Sequence, residues 1–339
     1  MRVSLLIIML IISKSEDCFG QFKTYQDSIN FYNKKKDFKK SLIYYDKIIK
    51  LYPNSAYYTI EKGIFLHDLR SYAEAVAEFS RALKINSNIV DAYVRRGRSY
   101  LGLHLYDSSI NDFNLAYGKL KYQDSVIFLY RGHAYLKKGN YDAANADYDS
   151  ASKFNSSYKE FLKSRALVKI EMEDLESALN DLNRVVIIDS SDLIAIKNRA
   201  IVNFQLNNLD TSLSDVNTYL KKYPKDAEVN LIAGGIFFEM KDYKTALQYL
   251  NSCKDKIKTM EAYRASGLTN YYLVNDQQAI NDLKIALSLS PTQAEEAELY
   301  YIIGVCKNNL NPKSGCNELS KAIEKGLADA KRTYSEDCK

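Results

Sequence analysis

The chain has 339 residues, enough for two ordinary domains or for one extended repeat array. Only 13 Gly and 4 Pro stand against 28 Tyr, 13 Phe and 46% apolar residues, which excludes collagen-like and disordered classes and leaves room for long helices. Its 47 basic and 42 acidic residues are spread along the whole length; the net charge of +5 lacks the concentrated basic patch of a nucleic-acid binder.

Residues 1–20 read as a signal peptide. Arg2 precedes an unbroken apolar run from Leu5 to Ile12, and a short polar stretch ends at Phe19-Gly20-Gln21. The run is too short to span a bilayer, so cleavage before Gln21 is expected rather than a permanent anchor. Cys18 offers a lipoprotein alternative, but Ser15-Glu16-Asp17 is too polar and bulky for a lipobox. No second long apolar stretch follows, and the expected product is periplasmic or secreted, with no integral membrane segment after cleavage.

Beyond the leader the chain repeats itself. Small residues that open an apolar, Tyr-containing helix recur at Ser41, Ala75, Ser109, Ala144, Ala178, Ser212, Ala246 and Ala279, with gaps of 34, 34, 35, 34, 34, 34 and 33. Twelve residues before each stands a second small or apolar position: Ile29, Gly63, Gly97, Gly132, Ala166, Ala200, Gly234 and Gly267. Small residues let two helix backbones approach, so each pair predicts the crossing point of a helical hairpin. Asp37, Ser71, Asn140, Asp174, Asn208, Asp242 and Asn275 are placed to cap the second helix of their units, and Leu105 breaks the series. Pro53, Pro224 and Pro291 fall at unit ends, where a helix has to stop.

Segments such as Tyr93-Val94-Arg95-Arg96-Gly97-Arg98-Ser99-Tyr100 and Phe128-Leu129-Tyr130-Arg131-Gly132-His133-Ala134-Tyr135 carry an aromatic–Gly–Tyr pattern at this period. The chain thereby resembles the tetratricopeptide repeat family. Units are placed at 22–55, 56–89, 90–123, 125–158, 159–192, 193–226, 227–259 and 260–293, with a shorter ninth hairpin at about 297–326. The resemblance implies an all-α, right-handed superhelical solenoid of antiparallel hairpins over 22–326, with a C-terminal capping helix in 327–339.

One departure from the family pattern lies at unit position 7, often basic here, and position 23, often acidic. Lys62 with Glu78, Arg96 with Asp112, Arg131 with Asp147, Arg165 with Asp181 and Arg199 with Asp215 are expected to form ion pairs within their hairpins. The seventh unit replaces both partners, by Ala233 and Tyr249, and the eighth sets Ser266 opposite Asp282. Such pairs guard register more than they add stability.

Three cysteines, Cys306, Cys316 and Cys338, lie in the last 34 residues. A terminal helix must cover the apolar face of the last unit, and Ala328 to Asp337 supplies it. A disulfide would clamp so short a cap, with Cys316–Cys338 the preferred pairing and Cys306 a competitor for either sulfur. Cys253 takes the place of a small buried alanine.

Catalysis needs titratable groups converging on one pocket, and no such set is visible. His67, His104 and His133 belong to three units and two faces, and no zinc spacing, GxSxG or phosphate-binding glycine loop occurs, so neither a cofactor nor an enzyme is expected. What remains is implied by the resemblance: a groove lined by the first helix of each unit. It maps to Tyr57, His67, Asp91, Arg95, Arg98, Tyr130, His133, Lys137, Lys163, Lys197, Asn198, Glu228 and Arg264. Arg95, Arg98, Lys137, Lys163 and Lys197 project onto one strip and predict a protein or peptide partner with acidic segments. The family's clamp for a terminal carboxylate is absent, Lys197-Asn198 being an isolated fragment of it. The expected role is a binding scaffold or adaptor of the bacterial envelope; the alternative is a self-associating spacer.

Overall fold

The computed structural model describes residues 20–119, 124–154, 159–289 and 291–339. The expected leader, apart from Gly20, and Cys18 with it, lie outside the described residues. Helices joined by short turns account for the described chain, which holds no strand. It falls into two compact units, one ending at Met172 and one running Glu173–Lys339.

The first unit contains α1 (20–34), α2 (Phe38–Leu51), α3 (Ala56–Asp68), α4 (Tyr72–Ile85), α5 (Val90–Gly102), α6 (Tyr106–Asn114), α7 (Ser125–Lys137), α8 (Tyr141–Phe154) and α9 (Lys159–Glu171). A π turn, Leu115–Lys119, extends α6. The one 35-residue spacing falls here, and the wider turn takes up an added residue. The second unit contains α10 (Leu175–Ile188), α11 (Leu193–Gln205), α12 (Leu209–Leu220), α13 (Ala227–Glu239), α14 (Tyr243–Ile257), α15 (Met260–Tyr272), α16 (Asp276–Leu287), α17 (Gln293–Leu310), α18 (Cys316–Glu324) and α19 (Asp329–Asp337). In each unit successive helices pack as antiparallel hairpins, and each hairpin packs on the next. The last hairpin begins at Gln293 rather than near 297, because Thr292 and Glu295 form a reciprocal capping box that starts α17 earlier.

All eight small residues of the second helices are buried to 0% exposure. The facing positions are equally tight: a Cβ on Gly132 would lie 2.8 Å from the Tyr148 ring, and one on Gly63 would lie 2.7 Å from Phe79. Serine at the first of these positions has a use that alanine lacks. Ser109 donates to the Gly97 carbonyl at 2.8 Å and Ser212 to the Ala200 carbonyl at 2.7 Å, bonding the two helices at their crossing.

Each of the eight full repeats carries a left-handed residue at the same place in its turn: Lys36, Arg70, His104, Gly139, Glu173, Asn207, Lys241 and Val274. Chain reversal at the end of the first helix requires it, and bonds such as Ser71 N–H to the Leu66 carbonyl and Asn140 N–H to the Tyr135 carbonyl close the turn. Only one of the eight is glycine. Val274, at φ 60° and 75% exposed, is β-branched in a region such residues avoid and gains no burial in exchange. Val274→Asn is therefore expected to stabilise the second unit by about 1 kcal/mol, read from the urea midpoint, whereas Gly139→Ala should destabilise the first by a similar amount. A lower midpoint for Val274→Asn would contradict this account of the turn.

The capping expectation holds in part. Asp37, Asp174, Asp242 and Asn140 accept backbone N–H groups of their helices, and Leu105 caps nothing. Ser71, Asn208 and Asn275 make no such bond. The two asparagines instead donate their amides to Asn203 and Asn270 on the preceding helices, at 3.3 Å each.

Candidate functional site

The predicted ion pairs organise the side of the hairpins on which they lie. Lys62–Glu78, Arg96–Asp112, Arg131–Asp147 and Arg199–Asp215 form at 2.6–2.8 Å, the three arginines binding both carboxylate oxygens. The fifth expected pair, Arg165 with Asp181, would join residues of different units. What sequence did not disclose is that each cation also reaches back to the preceding hairpin: Lys62 to Asp46, Arg96 to Ser80, Arg131 to Asn114, Arg165 to Asp149 and Arg199 to Asn183, at 2.7–3.1 Å. The pairs therefore set the stacking of neighbouring hairpins as well as register within one. In the eighth repeat the cation has moved rather than vanished: Lys254 of α14 binds both Asp282 oxygens, at 2.8 and 2.9 Å, and Ser266 donates to the same carboxylate at 2.7 Å. Tyr249, at the acid position of the seventh repeat, stacks on Phe237 with centroids 5.5 Å apart.

On the first helices of the hairpins, most of the expected basic strip proves to be neutralised by its own acids. Asp91 binds Arg95 at 2.6 Å, Glu160 binds Lys163 at 3.2 Å, Glu298 binds Arg264 at 2.6 Å, and Lys197 lies between Asp226 and Glu228 at 3.2 and 2.6 Å. A continuous basic strip is therefore corrected to paired charges, because i,i+3 and i,i+4 neighbours and acids on the next hairpin lie within reach of these flexible cations. Arg98 and Lys137 differ, having no carboxylate partner among the described residues.

Those two cations line one cavity of about 490 Å³ in the first unit, together with His67, Tyr130 and His133. Five of the thirteen predicted groove residues thus converge. Asp91 and Arg95 are close by, since Arg95 lines a smaller recess with His67 and Arg98. Tyr57 stands 62% exposed, away from the cavity, and Lys197, Asn198, Glu228 and Arg264 belong to the second unit. The Arg98 guanidinium sits over the Tyr130 ring at 4.6 Å, and that ring stacks on buried Phe113 at 6.4 Å, so the cation has a rigid backing. His104 also lines the cavity: its turn brings it round, and all three histidines meet at one place instead of dividing between two faces. Tyr72, Leu136, Ser164 and Leu167 are also part of the wall, and no charge pattern marks them in the sequence.

His67 contacts the Ser99 hydroxyl at 2.9 Å and His133 the Ser164 hydroxyl at 2.8 Å. Burial pushes the pKa of both below the usual range, that of His133 to about 4, with Lys137 adding to the effect. A histidine with a depressed folded-state pKa stabilises above its unfolded value, near 6.5, and loses that contribution as pH falls toward 4. Acidification from pH 7 to pH 4 should cost the first unit on the order of 3 kcal/mol through His133. His133→Gln should flatten that part of the stability–pH curve, and an unchanged difference between pH 7 and pH 4 would rule the mechanism out. No group of three His, Cys, Asp or Glu among the described residues is placed to hold a metal, and no described helix is long and apolar enough to cross a membrane.

The cysteines resolve as preferred. Cys316 and Cys338 are bonded, with Cα atoms 5.7 Å apart. Cys306 is a buried free thiol, its pKa pushed up to about 12 chiefly by burial and further by the Asp276 carboxylate, and it takes no part in the Cys316–Cys338 bond. Cys253 is buried likewise, with its pKa pushed up to about 11.

Repeat period, hairpin geometry and buried small residues together define a helical-repeat protein. Models described as tetratricopeptide repeat match residues 162–236 and 29–55. These matches, with the period counted along the chain, support a tetratricopeptide repeat protein. A TPR repeat-containing protein of Methanocaldococcus jannaschii is 24% identical over 239 residues, 54% of this chain and 42% of that one. DnaJ homolog subfamily C member 3 of Gallus gallus is 30% identical over 144 residues, 38% of this chain and 28% of that one. The chain thus spans less than half the length of these relatives. A solved tetratricopeptide repeat protein from Parabacteroides merdae shares the fold with a TM-score of 0.53 and 18% identity, over 73% of this chain and 97% of that one. Proteins of this family and fold are typically non-catalytic interaction scaffolds.

Proposed function

We propose that this chain is a non-catalytic scaffold that holds an acidic segment of a partner protein in the cavity of its first unit. The observation that carries this reading is the pair of cations, Arg98 and Lys137, left without carboxylates where Arg95, Lys163, Lys197 and Arg264 are matched. Tyr130 and the three histidines supply flat, partly apolar walls for the side chains between the acids. The leader read over 1–20 and the disulfide-held cap suit an exported, envelope-located scaffold, and N-terminal sequencing of the product from its host tests export by whether it begins at Gln21.

Binding is tested with a fluorescein-labelled peptide of core Glu-Tyr-Glu-Asp-Glu. Arg98→Glu with Lys137→Glu should weaken its capture about tenfold or more, and raising salt should do the same to the parent. Equal affinity of parent and variant would sink the proposal. The self-association alternative draws on Ile187 and Ile194, 84% and 64% exposed. Concentration-dependent growth in light scattering, abolished by Ile187→Ser with Ile194→Ser, would favour it instead.

A further inference from the structure

The second unit has a cavity of different chemistry. Phe204 of α11, Leu231, Ile232, Gly235 and Phe238 of α13, and Leu268 of α15 enclose about 290 Å³, the low end of the range for ligand pockets and room for one large side chain rather than an extended ligand. Its floor is set by a close approach: a Cβ on Gly235 would lie 2.6 Å from the Phe204 ring, so only glycine lets that ring lie flat there. The apolar lining side chains are half-buried.

At the rim stand Glu239, from the end of α13, and Glu261, from the start of α15, both exposed. Among the described residues neither has a cationic partner. The rim's one cation, Arg264, is bound by Glu298 and cannot serve them. An apolar hole flanked by two unmatched carboxylates rejects an acidic segment and fits its opposite.

We propose that this cavity is a second docking site, which takes one large apolar side chain of a partner segment while Glu239 and Glu261 bind lysine or arginine beside it. Apolar burial supplies the affinity, and the carboxylates select the flanking sequence. The site is separate in residues and in charge from the cavity of the first unit, so the two would accept different segments.

The chain contains no tryptophan, so a tryptophan-bearing probe is read without interference. With the full chain, a peptide of core Lys-Trp-Lys in Gly-Ser flanks should bind with a blue shift of its emission, about tenfold tighter than one of core Glu-Trp-Glu. Glu239→Lys with Glu261→Lys, both at exposed positions that leave the fold alone, should invert that order. The acidic probe used for the first unit should not displace the Lys-Trp-Lys peptide. Absence of a blue shift, equal binding by the charge-reversed variant, or displacement by the acidic probe would each overturn the assignment.

Discussion

Arg96→Met alone is expected to destabilise the first unit by about 3–5 kcal/mol, whereas Arg96→Met with Asp112→Leu should return it to within about 1 kcal/mol of the parent. Asp112 is buried, with only 2% of its side chain exposed, and Arg96 holds both of its oxygens at 2.8 Å. Burial lifts the Asp112 carboxyl above the ordinary carboxylate range, although the guanidinium pulls the other way. Desolvation is the larger effect on the carboxyl, whereas the bond to Asp112 is what raises the Arg96 pKa, so attraction and desolvation largely offset each other in a pair buried this far. Once Arg96 is gone, a carboxylate is left in the interior with nothing to compensate it. Asp147, facing Arg131, is lifted for the same reason, so Arg131→Met should repeat the pattern. Urea unfolding of the two single variants and the double variant closes the cycle. A double variant no better than Arg96→Met would refute the desolvation argument.

The second large effect concerns the C-terminal cap. Replacing Cys316 and Cys338 by serine should cost about 2–4 kcal/mol, since the bond closes a loop across a sequence separation of 22. Helix α19 needs that bond, because Ala330 is its one fully buried residue and its packing on α17 and α18 is thin. The loss should therefore appear as local release. Amides of 329–337 should exchange faster and the segment become open to protease, while the hairpins before it stay protected. Cys306→Ser serves as the control, because that thiol is free and lies outside the Cys316–Cys338 bond. If Cys306→Ser removed the cross-link, or if the double serine variant kept its cap protected, the role given to this disulfide would be wrong.

The repeat was legible because each hairpin is local. Within a unit, positions twelve and sixteen residues apart meet across one turn, so small residues, ion pairs and the repeat length can be counted along the chain alone. Gly63 against Phe79 and Arg96 against Asp112 are contacts of this kind. The cap and its cystine were legible for a related reason: three cysteines cluster where a repeat array must end. The second contact of each position-7 cation was not legible. Asp46, Ser80, Asn114, Asp149 and Asn183 share a place in the repeat but not a charge, so no pattern of signs marks them. The apolar cavity escapes a sequence reading for another reason. Leu231, Ile232 and Phe238 sit at groove positions, yet apolar residues on a helix are read as core unless the neighbouring hairpin leaves them open.

By itself, then, the sequence determined the helical hairpins, their period, their crossing points and four observed ion pairs, all of which depend on spacing along the chain; it preferred one cystine, and the structure chose between Cys306 and its neighbours. Only the tertiary structure decided which charges remain unmatched, how three histidines converge on one cavity, and which left-handed turns are carried by Lys, His or Val. Those outcomes depend on where flexible side chains of neighbouring hairpins end, about thirty residues apart in sequence, and burial and competing partners settle them rather than periodicity.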